Sequence, residues 1–481
     1  MAAEPTLVGL DVGTTGVKAI AVSSDGAVLA TATRGYLLST PKPGWAEQDP
    51  DDWWEAAFAA LAEVAAGRTI AGIGLSGQMH GLVVLDTDGR VIRPAILWND
   101  QRTAAECAEI EERVGPERLL ALTGNRALTG FTAPKLLWLR RHEPDAYGRI
   151  ARVMLPKDYV RLRLVGEHAT DVADASGTLL FDVRQRRWSG EVLEGLEIPA
   201  DWVPAALEST GLSGRTADGL PVAAGAGDQA AGALGVGVDR PGPLSVVLGT
   251  SGVVFAALPA FAADPDGRVH SFCHAVPDGW HAMGVMLSAA GSLGWLREVV
   301  APGEPPDEVV AEAEPWPPGV EGLTFLPYLA GERTPHVDPA ARAAFAGLSL
   351  RHDRGALVRA VLEGVAFGLR DSLELLRAIG VEPESARVSG GGARSELWLR
   401  IVASVLELPL ERTAAEEGAA FGAALLGGVA AGVFADVQEA VAATVRVRDT
   451  IEPEPEWIEP YAHAYRRFRS LYPALRPLED E

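Results

Sequence analysis

The sequence predicts an α/β protein of two domains, and three observations support this prediction. The chain has 481 residues with 48% hydrophobic content, which is enough for more than one core. Apolar stretches of strand length alternate with helical patterns along the chain. A strand, a glycine-rich turn and a returning strand occupy residues 7–22, and a related arrangement returns at residues 244–255. We therefore expect one such hairpin, within a sheet flanked by helices, in each half of the chain.

The two turns have the chemistry of a phosphate site. In Asp11–Gly16, glycines allow close approach of the backbone, successive N–H groups and threonine hydroxyls can donate hydrogen bonds, and Asp11 can hold a cation over the anion. The later turn, Gly249–Gly252, has the same character without the acid. Together the turns predict two half-sites for one polyphosphate.

Charge and cysteine content exclude several classes of function. The chain has 42 Lys and Arg against 65 Asp and Glu, and its formal charge of −23 repels nucleic acids and anionic lipid. Cys107 and Cys273 are the only cysteines, too few for a disulfide framework, which favours a reducing, cytoplasmic compartment. The uncharged stretch 241–263 is divided by Gly249, Gly252 and Pro259 into pieces of strand length, so we expect neither a membrane-spanning helix nor a membrane partner.

In the first domain, a turn at Ser23–Gly26 leads to a third strand, and Asp49 followed by Pro50 marks a helix start. The strand Ile70–Ser76 ends in Gly77-Gln78-Met79-His80-Gly81, and ligands commonly bind at such strand ends in α/β sheets. On its own, a single histidine such as His80 is more often structural than catalytic.

Polar residues later in the first domain offer further candidates. Residues 157–159 and 170–177 are expected to be loops, either solvated or lining a pocket. Asp228 follows a strand-like stretch and is flanked by small residues, so it could act as a general base or cap the alanine-rich helix after it. A Pro/Gly cluster at 239–243 predicts the domain boundary, with domains at residues 1–239 and 240–481.

The second domain is expected to contain a long core-facing helix at 356–379. Val388–Ser395 predicts a strand, three glycines and a helix start, which is the form of a loop passing close under a flat or anionic ligand. The polar turn Gly331–His336 has no assignable role, and the tail beyond about Val433 is expected to be helix packed on the outside.

Six motifs taken together resemble those of the FGGY carbohydrate kinases, and their order and spacing match that family nearly end to end. They are Leu10–Thr15, Trp45–Pro50, Gly77–Gly81, Gly227–Gln229, Leu248–Gly252 and Gly390–Ser395. Within the family, Gln78–Gly81, Ile96–Asp100 and Phe131–Lys135 resemble the members that act on D-xylulose. Glycerol kinases carry Arg-Glu where this chain has Met79-His80.

This resemblance implies two actin-like (ribonuclease H-like) ATPase domains, each a mixed central sheet flanked by helices, with a cleft between them. It implies transfer of the ATP γ-phosphoryl group, with Mg²⁺, to the 5-hydroxyl of D-xylulose. It also implies that Asp228 is the general base and that Asp11 lies at the metal. The residues implied at the sugar are Met79, His80, Asp228 and Gln229. The residues implied at the nucleotide are Thr14, Thr15, Lys18 and Thr250, together with Gly391 and Gly392 near adenosine.

Two alternatives stay open at this point. Another kinase of the family, acting on ribulose, fuculose, gluconate or glycerol, would differ only in its pocket residues. A non-catalytic actin-like nucleotide switch would need no base facing a sugar, so Asp228 argues against it. A homodimer stays open as well, since no motif of the sequence specifies the oligomeric state.

Overall fold

Seven strands of the first half form a mixed sheet in a computed structural model, which describes residues 5–415 and 417–478. The predicted hairpin is present, with Asp11 opposite Lys18. Ile70–Gly77 runs parallel to Thr6–Val12, so the carboxyl ends of the two strands meet at one edge. The strand order is Leu212–Arg215, Pro221–Ala223, Ile70–Gly77, Thr6–Val12, Gly16–Ser23 and Val28–Gly35, with Ala226–Gly227 also paired to Ile70–Gly77.

The second half repeats this plan. Pro243–Leu248 pairs antiparallel with the returning strand of its hairpin and parallel with a later strand, as Thr6–Val12 does. The predicted boundary between residues 239 and 240 falls in the connection between the two sheets. The second sheet has the order His270–Cys273, Trp280–Met286, Gly252–Leu258, Pro243–Leu248, Ser385–Ser389, Leu410–Thr413 and Val447–Ile451.

Helices pack on both faces of the first sheet because alternate side chains of its strands point to opposite sides. Val8 and Leu10 pack with Trp53 of the helix Pro50–Ala65, whereas Leu7 packs with Phe421 on the other face. Asp49 caps the former helix by accepting a hydrogen bond from the Asp51 N–H, as predicted. Among the described residues, none of the helices has the length and apolar character needed to cross a membrane.

The remaining elements are short helices and ribbons around the two sheets, together with the long helix predicted for the second domain. The α-helices are Pro50–Ala65, Ala104–Val114, Pro116–Thr123, Thr132–His142, Pro144–Tyr147, Pro156–Val165, Val172–Ser176, Gly190–Gly195, Asp228–Gly235, Ala290–Val300, Pro306–Ala311, Arg354–Ala378, Glu396–Leu406, Gly418–Ala430, Val437–Thr444 and Pro455–Leu475. Short 3₁₀ turns occur at Val320–Gly322, Gly391–Arg394 and Arg476–Leu478. Two-stranded ribbons pair Glu47–Gln48 with Ala95–Ile96, Val83–Leu85 with Arg152–Met154, Ala169–Asp171 with Ala205–Leu207, Phe181–Asp182 with Arg187–Trp188, and Thr324–Leu326 with Ala344–Ala346.

One helix joins the two halves of the molecule. Gly418–Ala430 comes from the second half but packs on the first sheet and against the helix Asp228–Gly235. Small residues permit this approach, since a Cβ atom added at Gly74 would lie 1.8 Å from the carbonyl oxygen of Ala423. Asp228 therefore lies at the beginning of a helix that is packed against both halves.

The C-terminal tail differs in part from its predicted form. Val437–Thr444 and Pro455–Leu475 are helical, as predicted, but Val447–Ile451 forms an edge strand of the second sheet. Arg412 on the neighbouring strand makes two hydrogen bonds to the Asp449 carboxylate, at 2.6 and 2.8 Å. The charged side chains in this strand interrupt the apolar pattern, so its β-branched residues did not stand out as a strand.

Candidate active site

A cavity of about 180 Å³ lies between the two halves, beyond the carboxyl ends of the central strands of the first sheet. It brings together four residues that the sequence predicted for one site: Met79, His80, Asp228 and Gln229. Thr14 and Trp98 complete the wall from the first half. The second half supplies Ser251, Val253, Met283, Val285 and Arg333. Both halves therefore contribute to the wall of the cavity.

Asp228 is positioned by strand pairing and by its helix. It follows the short strand Ala226–Gly227, which pairs with the end of Ile70–Gly77. Gly227 is the N-cap of the helix and no side chain makes a cap hydrogen bond there. The Asp228 carboxyl instead accepts hydrogen bonds from the backbone and the side chain of Gln229. Burial, and then the nearby Asp11 carboxylate, raise the pKa of Asp228 to about 7. A carboxyl group with a pKa near neutrality is well suited to accept a proton.

A pH dependence follows from this pKa. Because the pKa of Asp228 is raised, its carboxyl is protonated at lower pH and cannot act as a base there. We expect kcat/KM for the sugar to fall by about tenfold per pH unit below an apparent pKa no higher than about 7, and to level off above it. Asp11→Asn should lower that apparent pKa, since it removes a neighbouring negative charge. Initial rates between pH 5 and 8 test this, and a flat profile would contradict it.

Asp11 is half-buried at the end of the first strand, where Ser76 Oγ donates a hydrogen bond of 2.8 Å to its Oδ1. Burial raises the pKa of Asp11, while the Ser76 hydrogen bond and the charge of Lys18 oppose that rise. Within the described residues, no cluster of three or more His, Cys, Asp or Glu side chains could hold a metal ion unaided. Mg²⁺ usually takes one or two carboxylates together with phosphate oxygens. The donor set at Asp11 therefore fits an Mg²⁺ ion that arrives with a nucleotide.

The threonines of the two glycine-rich turns, Asp11–Gly16 and Gly249–Gly252, differ in their surroundings. The Thr14 hydroxyl accepts a hydrogen bond from Trp98 Nε1 at 2.9 Å and donates one to Gln78 Oε1 at 3.3 Å, so it lies in the cavity wall. Thr15 and Thr250 are exposed at the turn tips. The Lys18 ammonium lies 3.9 Å from Glu417 Oε1.

A second cavity, of about 230 Å³, lies beside the three glycines of the second half. Residues that line it are Val236, Val388, Ser389, Gly390, Gly391, Ala393, Arg394, Arg412, Thr413, Ala415, Gly418 and Arg448. Gly391 faces this cavity, but Gly392 does not line it. A Cβ atom added at Gly392 would lie 2.9 Å from the side chains of Leu248 and Trp398. Gly392 thus lets the loop pack on the core, while Gly391 faces the open space.

His80 is held in one orientation and one protonation state. It has a φ of +68°, and its carbonyl oxygen accepts hydrogen bonds from Lys135 Nζ at 2.9 Å and Thr132 Oγ1 at 3.0 Å. Burial lowers the pKa of His80 to about 3, so the ring is neutral at physiological pH. Its Nδ1 lies 2.6 Å from the Gly177 carbonyl oxygen, which assigns the proton to Nδ1 and leaves Nε2 as an acceptor.

The prediction of polar loops at residues 157–159 and 170–177 is wrong. Lys157, Asp158, Asp171 and Asp174 are fully buried on short helices or beside them. Lys157 Nζ lies 2.6 Å from carboxylate oxygens of Asp158 and Asp171 and 3.2 Å from Asp174. These buried groups pair with Lys157, but several carboxylate oxygens of the three acids have no hydrogen-bond partner among the described residues, and burial raises the pKa values of Asp171 and Asp174. The cluster fixes the turn that ends at Gly177, which in turn positions His80.

Sequence reasoning missed the wall that the second half supplies. Arg333 belongs to the turn 331–336, to which no role could be assigned, and Met283 and Val285 are part of an ordinary apolar strand. The signal available for Arg333 was a charged residue within a polar turn. That signal does not identify a site until the two halves are placed together.

A sequence profile of the FGGY family of carbohydrate kinases matches the chain twice, through the N-terminal domain at residues 6–235 and the C-terminal domain at residues 244–431. The chain belongs to this family, and its two halves have the actin-like ATPase fold of sugar kinases.

Several similar proteins are described more specifically than the family, as xylulose kinases. The chain is 43% identical to a xylulose kinase of Escherichia coli (strain K12), over 98% of this chain and 99% of that protein. The crystal structure of a "xyloylose kinase" from Brucella ovis is 43% identical, with a TM-score of 0.93 over 98% of this chain and 100% of that one. A xylulose kinase structure from Rhodospirillum rubrum is 36% identical, with a TM-score of 0.92 over 99% and 100% of the two chains.

Proposed function

We propose that this chain transfers the γ-phosphoryl group of ATP to the 5-hydroxyl of D-xylulose. One observation carries the proposal: the Asp228 carboxyl, whose pKa is raised to about 7, lines the same cavity as Met79, His80 and Gln229. The near full-length similarity to xylulose kinases supports D-xylulose as the sugar. A cytoplasmic location belongs to the same proposal and is supported by the two free cysteines.

Phosphoryl transfer demands alignment and charge neutralisation more than covalent help from the protein. The 5-hydroxyl oxygen forms a bond to the γ-phosphorus as the bond to the bridging oxygen of ADP breaks, and Asp228 accepts the hydroxyl proton. Asp11 would hold Mg²⁺, which when bound with the nucleotide neutralises phosphate charge. His80 Nε2 accepts a hydrogen bond from another sugar hydroxyl, which orients the sugar toward Asp228.

Because the sugar and the nucleotide would bind in separate cavities, the enzyme can avoid hydrolysing ATP before the sugar is bound. The sugar cavity needs walls from both halves, whereas the second cavity, beside Gly391, is lined mostly by the second half. We infer that the nucleotide occupies this second cavity and that a bound sugar favours closure of the halves. Closure then excludes water from the reacting groups.

His80→Ala is expected to lower kcat/KM for the sugar by about 5–150-fold, because a polar substrate group loses its partner within the cavity. The Kd for ATP should stay nearly unchanged, since His80 does not line the second cavity. Titrations of both ligands measure this, with His463→Ala on the exposed face of the C-terminal helix as a matched control. Equal weakening of sugar and ATP would mean that His80 supports the fold instead.

A substrate panel tests the proposed function itself. Purified protein is assayed with ATP and D-xylulose, ribulose, fuculose, gluconate and glycerol, and the phosphorylated position of each product is determined by NMR. We expect D-xylulose to have the highest kcat/KM and D-xylulose 5-phosphate to be its product. A higher kcat/KM for any other sugar would contradict the proposal.

A further inference from the structure

Arg333 reaches the sugar cavity from the second half of the chain. It is half-buried, yet its guanidinium makes no hydrogen bond, and no ion pair within 4 Å, with any residue that the structure describes. Withdrawal of a guanidinium from water is costly unless its donors find acceptors. The donors of Arg333 are therefore available to a ligand in this cavity.

The turn that carries Arg333 is fixed on both sides. Glu332 Oε1 accepts hydrogen bonds from the N–H groups of Leu287 at 2.9 Å and Arg333 at 2.8 Å. The Thr334 hydroxyl donates to the Arg268 carbonyl at 2.9 Å and accepts from the Val285 N–H at 3.0 Å. A charged group held on a backbone tied down in this way is preorganised for binding.

The position of Arg333 within the cavity identifies the part of a sugar it can contact. The Thr334 hydroxyl, next to Arg333, donates to the Arg268 carbonyl, and the ring of His270, two residues further along, lies 5.8 Å from the Phe131 ring, which contacts the His80 ring at 4.7 Å. Arg333 therefore enters the cavity from the His80 side, whereas Asp228 enters from the first half, beside the end of Ile70–Gly77. The reacting hydroxyl must lie at Asp228, so the opposite end of the sugar faces Arg333.

We propose that Arg333 determines specificity by donating hydrogen bonds to the oxygens on carbons 1 and 2 of the bound ketose, the end remote from the 5-hydroxyl. This inference rests on the proposed function. A planar guanidinium presents parallel donors that match two neighbouring oxygens, here a carbonyl and a hydroxyl. Because Arg333 belongs to the second half and His80 to the first, the same ketose connects the two halves across the cavity.

Arg333→Gln, assayed with D-xylulose and with 1-deoxy-D-xylulose, tests this contact. We expect kcat/KM for D-xylulose to fall by about 5–150-fold, and kcat/KM for the 1-deoxy sugar, which lacks one acceptor, to fall at least about fivefold less. The KM for ATP should change by less than about twofold. Arg333→Lys should recover part of the loss, since it restores the charge without the paired donors. Arg342→Gln, at an exposed position of the same loop, is the matched control and should have no effect.

The outcomes separate this inference from the proposed function. Equal losses with the two sugars, in an enzyme that uses D-xylulose, would contradict the Arg333 contact and leave the function standing. Wild-type protein that phosphorylates neither ketose would contradict the function and the contact together. Thermal unfolding of each variant identifies loss of fold, and if Arg333→Gln does not fold, the same comparison is made with Arg333→Lys.

Discussion

Asp228→Asn is expected to lower kcat by about 10²–10⁴-fold while the Kd for ATP stays within a few-fold of the wild-type value. An amide keeps the size and most of the polarity of the carboxyl group but cannot accept the hydroxyl proton. Asp228 lines the cavity between the halves and does not line the cavity beside Gly391. The substitution should therefore remove chemistry without removing nucleotide binding.

The measurement combines steady-state ADP release with calorimetric titration of ATP. Asp218→Asn is the control, because Asp218 is an exposed acid in the same half, on a turn that lines neither cavity. Retention of more than roughly a tenth of wild-type kcat would remove Asp228 from the role of base.

Asp11→Asn should slow the reaction by about 10²-fold and raise the Mg²⁺ concentration needed for half-maximal rate, because Asp11 acts through the cation. The Ser76 hydroxyl, which donates to Asp11 Oδ1, keeps its partner in this variant, since an amide oxygen can also accept. A change in local packing is therefore not expected to dominate the result.

A titration of kcat against free Mg²⁺ distinguishes this role from a general defect. In wild-type protein and in Ser76→Ala the half-maximal Mg²⁺ concentration should be low, with Ser76→Ala shifted slightly upward. If added Mg²⁺ makes no difference to the defect of Asp11→Asn, the metal assignment is wrong.

Much of the fold could be predicted from local chemistry. The Asp11–Gly16 turn, the Asp49 cap and the long helix at 354–378 are each specified by residues close together in sequence. The edge strand Val447–Ile451 was missed because its charged residues pair with a neighbouring strand that lies far from it in sequence. Residue propensity identifies a helix or strand when the residues that stabilise it are close in sequence. It fails when contacts between distant parts of the chain determine the secondary structure.

The residues of the candidate site also fall into those that could be predicted from the sequence and those that could not. Met79, His80 and Asp228 follow strand ends, so their placement could be predicted from the topology of the sheet. Arg333 and the buried Lys157 cluster could not, because the identity of a charged residue does not reveal whether water or a distant carboxylate will be its partner.

Sugar-dependent phosphoryl transfer is tested most directly by one assay. ADP release is measured with saturating ATP and Mg²⁺, first without sugar and then with D-xylulose. We expect the rate with D-xylulose to exceed the sugar-free rate by at least about 10²-fold, because closure around the sugar completes the site. Equal rates with and without D-xylulose would contradict sugar-dependent phosphoryl transfer.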